Sequence, residues 1–297
     1  MAAHAPAEKI VNVLVTGATG FVAGTLVPHL LREGHRVYAL GHDPQRLARF
    51  PDAEPIVLDL RRPDLPAQLP SGLEAVVHLA QANVPFPEGA QDLFDVNVGS
   101  TQRLLEHARR TGIRRFVYAS TGSVYGGGDR PWRETDPLLG TGYYAATRQG
   151  AERLVQAYGE HVPYLILRTV TPYGPGQRNR LVPGLIGRVQ AGDPVLLQEG
   201  GRPRMNPIFV SHVADVFTQA LSAPPNQALN LAGDEVLSIR EMAEIIGHQL
   251  GRAPIFQGAP GASGGDVVLE TVRLRQVFRL PDRLTSFAQG VHAMLER

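Results

Sequence analysis

The residues with the clearest chemical meaning are two glycines near the start of the sequence. Gly17 and Gly20 follow a short apolar segment, Ile10–Thr16, and a helical pattern begins directly after them and runs to about Arg32. Glycines permit a tight turn and close approach of the backbone to a pyrophosphate, and a helix N-terminus offers free N–H groups. Ordinary β–α turns also contain two glycines, but here strand, glycines and helix coincide, which favours a dinucleotide site.

Apolar, β-branched segments alternate with helical patterns through the first half of the chain. Strands separated by helices of this length indicate right-handed β–α–β units and a parallel sheet covered on both faces. The expected fold is therefore α/β, a doubly wound parallel sheet of the Rossmann type. The predicted strands are Ile10–Thr16, Arg36–Leu40, Pro55–Leu58, Ala75–Ala80, Arg115–Ser120 and Tyr164–Arg168, and the longest predicted helices are Gln91–Thr111 and Tyr144–Tyr158.

The pattern changes after Arg168, where Pro172, Gly174, Pro175 and Gly176 interrupt regular structure. We expect residues 1–170 to form a dinucleotide-binding domain and residues 171–297 to form mainly a smaller, mixed substrate-binding region. Some segments of that region should pack back on the first domain. The glycine-rich stretch Gly258–Gly265 predicts a flexible loop.

Composition excludes several classes of protein. Hydrophobic residues make up 43% of 297 residues, too many for a disordered chain, and the net charge of +1 argues against dedicated nucleic-acid binding. There is no cysteine, so disulfides and thiolate metal sites are excluded, and the ten histidines lack a metal-binding spacing. No apolar run could span a membrane, and residues 1–9 lack the apolar core of a signal peptide, so we expect a cytoplasmic protein with no membrane or metal partner.

Short motifs follow one another along the whole chain. The glycine turn is Thr16–Val22 (TGATGFV), and Ala23 follows it. The later motifs are Asp59-Leu60, His78–Ala80, Asn97–Thr101, Ser120–Gly126, Tyr144–Arg148, Leu167-Arg168 and Tyr173–Gly176. In this order they resemble the extended short-chain dehydrogenases/reductases, within the NAD-dependent epimerase/dehydratase family that modifies nucleotide sugars. That family usually has a third glycine where this chain has Ala23.

The resemblance implies a nicotinamide cofactor. An acidic residue at the end of the second strand is typical of NAD binding, but Gly41 and then His42 stand there, and Arg46 and Arg49 could meet a 2′-phosphate. NADP is therefore favoured over NAD, unless these arginines are simply solvated. The expected cofactor-binding residues are Gly17, Thr19, Gly20, Phe21, Val22, His42, Arg46, Asp59, Leu60, Leu79, Ala80, Asn97, Ser120, Tyr144 and Arg148.

The same resemblance implies that Tyr144 removes the proton from a sugar hydroxyl while Thr121 aligns the oxygen. A tyrosine hydroxyl has an ordinary pKa of about 10, and bringing it near 7 needs about 4 kcal/mol, part of which a nearby cation can supply. The family has a lysine one helical turn after the tyrosine, where this chain has Arg148. Either arginine substitutes with altered geometry, which we favour, or redox catalysis has been lost.

The residues after Thr121 bear on the reaction. Family members that are 4,6-dehydratases carry Asp and Glu there, whereas this chain has Gly122 and Ser123. The resemblance therefore implies C4 epimerisation or reduction of a 4-keto sugar rather than dehydration. A non-catalytic NAD(P)- or nucleotide-sugar-binding protein is the alternative.

The remaining implied features concern the substrate and assembly. Asn179 and Arg204 match positions that hold the nucleotide diphosphate in the family, unless the arginine is only a loop charge. The helices Gln91–Thr111 and Tyr144–Tyr158 correspond to the family's usual homodimer contact. The expected substrate-binding residues are Thr121, Ser123, Tyr144, Asn179 and Arg204.

Overall fold

A computed structural model describes residues 11–198, 201–260 and 265–296. The strands are β1 (Asn12–Thr16), β2 (Arg36–Gly41), β3 (Glu54–Val57), β4 (Ala75–His78), β5 (Arg115–Thr121), β6 (Tyr164–Thr169), β7 (Pro172–Tyr173), β8 (Val195–Leu197), β9 (Arg204–Met205), β10 (Ile208–Phe209), β11 (Gln227–Leu231), β12 (Leu237–Ser238) and β13 (Phe256–Gly258). Seven of them form one parallel sheet in the order β11-β6-β5-β4-β1-β2-β3.

Helices cover both faces of this sheet. The helices of the described residues are α1 (Ala23–Arg32), α2 (Pro44–Leu47), α3 (Ala90–Phe94), α4 (Ser100–Thr111), α5 (Tyr143–Ala157), α6 (Leu181–Ala191), α7 (Val210–Gln219), α8 (Ile239–Leu250), α9 (Val272–Val277) and α10 (Phe287–Leu295). Of these, α6, α8 and α10 pack in the C-terminal region rather than on the sheet. The helix expected over Gln91–Thr111 is continuous but includes a π-helical turn, Asp95–Gly99, between α3 and α4. No helix of the described residues is both long and apolar enough to cross a bilayer.

The apolar runs form strands because each successive side chain is buried on the opposite face. Val13 and Val15 belong to one core cluster with residues of α1 and α7, and Leu14 belongs to a second cluster with residues of α4 and α5. This double burial is typical of a parallel sheet and explains why β1 has no polar alternation. The doubly wound α/β fold is confirmed.

The chain reverses its direction across the sheet between β1 and β4. β2 and β3 extend the sheet on one side of β1, whereas β4, β5, β6 and β11 extend it on the other. The loops after β1 and β4 therefore diverge at the carboxyl edge, where a crevice forms at such a switch point.

The second half of the chain contributes to both parts of the molecule. β11 is the seventh strand of the main sheet, which the sequence analysis missed, and α7 packs against α1. A third core cluster, which includes Tyr173, Met242 and Phe287, lies in the remaining C-terminal elements. Part of the predicted loop Gly258–Gly265, residues 261–264, lies outside the described residues.

Candidate functional site

A cleft of about 1050 Å³ runs along the carboxyl edge of the sheet. It begins at the glycine turn after β1, passes the ends of β4 and β5, and continues to the segment before α6. Of the predicted site residues, those lining it are Gly17, Thr19, Gly20, Phe21, Val22, His42, Arg46, Asp59, Leu60, Leu79, Ala80, Ser120, Thr121, Ser123 and Tyr144. The predictions that do not line it are Asn97, Arg148, Asn179 and Arg204.

The glycine turn has the geometry that a pyrophosphate requires. Gly17 has a φ of +66°, and a Cβ there would lie 2.8 Å from the backbone nitrogen of Ala80. The Gly20 N–H donates to the Gly17 carbonyl at 2.8 Å, and no side chain caps the start of α1. The Gly24 and Thr25 N–H groups donate to the carbonyl oxygens of Phe21 and Val22, so the N–H groups available to phosphate oxygens are those just before them, from Phe21 to Ala23. Ala23, at the third glycine position, is buried, so its methyl packs inside the fold. These residues fit a dinucleotide.

Three charged side chains meet at one end of the cleft. The Arg61 guanidinium donates to both carboxylate oxygens of Asp59, at 2.6 to 3.1 Å, and to Asp92 at 2.8 Å. The hydrogen bond from Arg61 lowers the pKa of Asp59 below its ordinary value. Asp59 was predicted to contact the cofactor, whereas Arg61 was missed because no motif includes it.

The arginines after β2 differ in what they contact. Arg49 donates to the carbonyl oxygens of Ala18 and Gly20, at 2.8 and 2.7 Å, so it holds the glycine turn. Burial, and then the charge of Arg46, lower the pKa of Arg49. Arg46 is exposed beside the cleft, while Asp43 caps α2 through backbone N–H groups.

The predicted reactive groups, Thr121 and Tyr144, also line the cleft. The Thr121 hydroxyl donates to Ser123 Oγ at 3.2 Å, and the Tyr144 hydroxyl donates to Gln81 Oε1 at 2.6 Å. Gln81 follows β4 directly and also lines the cleft. Gln81 was not predicted because its hydrogen bond to Tyr144 joins residues far apart in the chain.

Arg148 lies behind the cleft wall rather than in the cleft. It is fully buried, donates to the carbonyl oxygen of Ala119, and lies over the ring of Tyr118 at 4.7 Å from the centroid. Its Nε and Nη1 atoms have no hydrogen-bond partner among the described residues. The described contacts thus do not place this cation beside a bound sugar.

Asn97 is also fully buried, and its side chain serves the backbone. Asn97 Oδ1 accepts from the Ala82 N–H at 2.8 Å, and Nδ2 donates to the Ala82 carbonyl and to Thr147 Oγ1. These bonds fix the loop after β4 against α5. In this structure Asn97 therefore acts on the cleft through that loop.

Two arginines just before α6 line the cleft, whereas the predicted substrate residues Asn179 and Arg204 do not. Asn179 is exposed with a φ of +53°, and its neighbours Arg178 and Arg180 line the cleft instead. The Arg204 guanidinium donates to the Val236 carbonyl at 3.3 Å, outside the cleft lining. Within the described ranges, no group of three or more His, Asp or Glu residues could hold a metal ion.

Comparison with known proteins identifies related chains. The model of the NAD dependent epimerase/dehydratase family matches residues 13–232. A 3 beta-hydroxysteroid dehydrogenase/Delta 5-->4-isomerase of Mycobacterium tuberculosis is 37% identical over 159 residues, which is 49% of this chain and 42% of that relative. The chain thus spans less than half the length of this relative. The dTDP-D-glucose 4,6-dehydratase of Mus musculus is 26% identical over 80% of this chain and 73% of its own.

A solved structure is similar over almost the whole chain. The UDP-glucose 4-epimerase of Thermus thermophilus, in complex with NAD, has a TM-score of 0.83 and 26% identity. The match covers 96% of this chain and 98% of that one. The similarity therefore includes the C-terminal region as well as the parallel sheet.

Proposed function

Because the chain belongs to the NAD dependent epimerase/dehydratase family, a family of enzymes, we propose that it transfers hydride between a nicotinamide dinucleotide and C4 of a nucleotide sugar. The reaction is C4 epimerisation or reduction of a 4-keto sugar. One observation carries the proposal: a single cleft joins the glycine turn to Tyr144 and Thr121 and continues to Arg178 and Arg180.

The chemistry of the reactive end follows from two hydroxyl groups. A nicotinamide dinucleotide held at the glycine turn would supply the acceptor or donor of the hydride. Tyr144 takes the proton of the sugar hydroxyl during oxidation and returns it during reduction. Thr121 holds the reacting oxygen, and two hydrogen bonds with Ser123 orient the threonine hydroxyl.

The charges of the cleft favour C4 chemistry over dehydration. Dehydration needs acid–base groups at neighbouring carbons, and Gly122 and Ser123 follow Thr121 where the dehydratases have carboxylates. Among the described lining residues, the carboxylates are Asp59 and Asp92, and both are bound to Arg61 at the other end. The mouse dehydratase relative makes 4,6-dehydration the reaction to test against.

We assign NADP as the preferred cofactor, with Arg46 as the residue that contacts the 2′-phosphate. Arg49 is occupied by the glycine turn, which leaves Arg46 as the free cation of this pair. Replacing Arg46 with alanine should weaken NADP binding about tenfold and leave NAD binding nearly unchanged. Fluorescence titration with both dinucleotides measures this, and equal losses would contradict the assignment.

The proposal also covers the substrate contacts and the assembly of the protein. Arg178 and Arg180 suit a diphosphate because guanidinium groups donate two parallel hydrogen bonds. We also propose a cytoplasmic homodimer formed through α4 and α5, which light scattering on the purified chain tests. The domain predicted over residues 1–170, whose sheet β11 completes, holds the dinucleotide, and the region predicted from residue 171 onward contributes Arg178 and Arg180 to the sugar site.

The decisive experiment assays the parent, Tyr144→Phe and Arg148→Lys on a panel of nucleotide sugars. We expect turnover by the parent and a loss of about 100-fold or more in Tyr144→Phe, because general acid–base catalysis contributes that much. A 3β-hydroxysteroid is assayed beside this panel, because the relative from Mycobacterium tuberculosis is a 3 beta-hydroxysteroid dehydrogenase/Delta 5-->4-isomerase. Unchanged turnover in Tyr144→Phe would refute the role of this tyrosine.

The burial of Arg148 favours a second candidate, a protein that binds cofactor and nucleotide sugar without turnover. In the described structure, the motif Tyr144–Arg148 contributes no cation to the lining of the cleft. If the parent binds both ligands but converts none, and Arg148→Lys gains turnover, this second function holds. If the purified protein instead carries bound cofactor and is active without added dinucleotide, the reaction is epimerisation rather than reduction.

A further inference from the structure

We infer that Gln81 is a positioning residue that holds the Tyr144 hydroxyl and supports it both as phenol and as phenolate. The inference rests on the function proposed above, in which Tyr144 exchanges a proton with the sugar. Nothing in the motifs of the sequence assigns a role to Gln81. Its side chain is nevertheless the described hydrogen-bond partner of the Tyr144 hydroxyl, at 2.6 Å.

The bond closes a ring of contacts between β4 and α5. Gln81 is covalently joined to Ala82, whose N–H and carbonyl are both held by Asn97. Asn97 also donates to Thr147 Oγ1 at 3.0 Å, and the Thr147 hydroxyl donates to the carbonyl oxygen of Tyr144 at 2.8 Å. The ring therefore fixes the backbone of the tyrosine and the partner of its hydroxyl in one unit.

The ring differs in solvent access from one side to the other. Asn97 and Thr147 are buried, so moving Ala82 would leave polar groups unpaired inside the protein. Gln81 is exposed and Tyr144 is partly exposed, both facing the cleft. The buried side of the ring thus supports the hydrogen bond between Gln81 and Tyr144, which faces the space where the substrate binds. Bound substrate would exclude water from this hydrogen bond.

An amide suits a group that changes its protonation state. The carboxamide oxygen accepts a hydrogen bond from a phenol, and the NH₂ group of the same side chain, turned over, donates to a phenolate. Hydrogen bonds to ionised groups are the stronger ones, so the amide favours the phenolate overall. The cation that could have done this, Arg148, is bound to the Ala119 carbonyl behind the wall.

The test compares Gln81→Leu and Gln81→Glu with the parent and with a matched control, Gln68→Leu. Gln68 is exposed on a 3₁₀ turn and does not line the cleft. In oxidation of the sugar, we expect Gln81→Leu to lower kcat about 10- to 100-fold with little change in KM. The pH of half-maximal rate should move upward, and further in Gln81→Glu, whose ionised carboxylate cannot donate.

A second readout needs no turnover. The ultraviolet absorbance of phenolate is titrated in each protein and in its Tyr144→Phe counterpart, and the difference isolates Tyr144. Gln81→Leu should shift that difference to higher pH, whereas Gln68→Leu should not. A folding defect is checked by the far-ultraviolet circular dichroism and the thermal midpoint of each variant.

The two readouts separate the possible failures. A parent that converts no substrate refutes the proposed function, and the absorbance titration still decides the role of Gln81. An active parent with unchanged pH profile and unchanged titration in both Gln81 variants overturns the inference while the function stands. A uniform loss of rate at every pH, with no shift, also overturns it, because that is the result of a merely structural contact.

Discussion

Two buried arginines lie close to β5, and their surroundings are opposite. Arg168 is bound by Glu152 through contacts of 2.7 to 3.2 Å, and it donates to the Tyr125 hydroxyl at 2.7 Å. Arg148, one helical turn before Glu152, has a single described hydrogen bond, to a carbonyl. Its Nε and Nη1 atoms have no described partner, and no carboxylate pairs with it among the described ion pairs.

Arg168 is therefore a structural cation with many polar partners, whereas Arg148 has few. Glu152 also accepts from Ser120 at 2.5 Å, and the Tyr125 hydroxyl donates to Asn230 at 2.8 Å. The Arg168 region therefore connects α5, β5, β6 and β11 through satisfied polar groups. A buried charge with many partners stabilises the fold only while all of those partners remain. A buried charge with few partners can be replaced with little loss in the free energy of unfolding.

The largest expected effect is on Arg168. Arg168→Met should lower the free energy of unfolding by about 3–5 kcal/mol, because it leaves the carboxylate of Glu152 buried without a counter-charge. Urea unfolding of the parent and the variant measures the loss. The double variant Glu152→Gln/Arg168→Met should recover part of it, and a double variant that loses more than the sum of the two single losses would contradict this account.

Next in size at neutral pH is the tyrosine bound to Arg168. Tyr125→Phe should cost about 1.5–3 kcal/mol at neutral pH, the range for a hydrogen bond to a charged group. Burial raises the pKa of Tyr125 to about 12, so the unfolded chain loses this proton above pH 10 before the folded chain does. Stability is thus lost as pH rises from about 10 towards 12. The phenylalanine variant should lose less over that window, and parallel unfolding curves for both proteins would refute the assignment.

The Arg148 region should show the reverse sensitivity, to acid. Burial, and then the charge of Arg148, lower the pKa of His78 to about 3, while in the unfolded chain this histidine takes up a proton near pH 6.5. Stability should therefore fall by about 1.4 kcal/mol for each pH unit below 6.5, with the loss ending near pH 3. In His78→Asn the slope should be smaller by that amount, which urea unfolding at several pH values tests.

The smallest expected effect is on Arg148. Arg148→Met keeps the length of the side chain and removes a buried cation without an anionic partner, so the free energy of unfolding should change by less than about 1 kcal/mol. Equilibrium unfolding beside Arg168→Met provides the comparison. A loss as large as that of Arg168→Met would mean that Arg148 has a partner as strong as Glu152.

Much of the fold follows from local pattern. All six predicted strands form, because each is short, apolar and bounded by turn residues, and the turn at Gly17 needs a glycine for its φ of +66°. The long helix before β5 is also present, although its π turn at Asp95–Gly99 has no signal in the periodicity. β11 was missed since the first strands provided a complete α/β pattern and its segment, Gln227–Leu231, contains two polar residues, Gln227 and Asn230.

The site is less accessible to such reasoning. Arg178 and Arg180, rather than the predicted Asn179, reach the cleft because the left-handed backbone of Asn179 turns the segment. Gln81 and Asn97 acquire their partners from α5, more than 45 residues further along the chain. The burial of Arg148 depends on the space between α5 and β5, which no spacing within a helix specifies.

The amino-acid sequence alone was sufficient for the architecture, the glycine turn and the order of the motifs, since burial on both faces and the φ requirement of a turn act over a few neighbouring residues. The direction of each polar side chain depended on packing. Whether a guanidinium enters the cleft or stays behind its wall is decided by contacts between distant strands and helices. For that reason Arg148 and Arg168, the same residue type in neighbouring elements, have different surroundings.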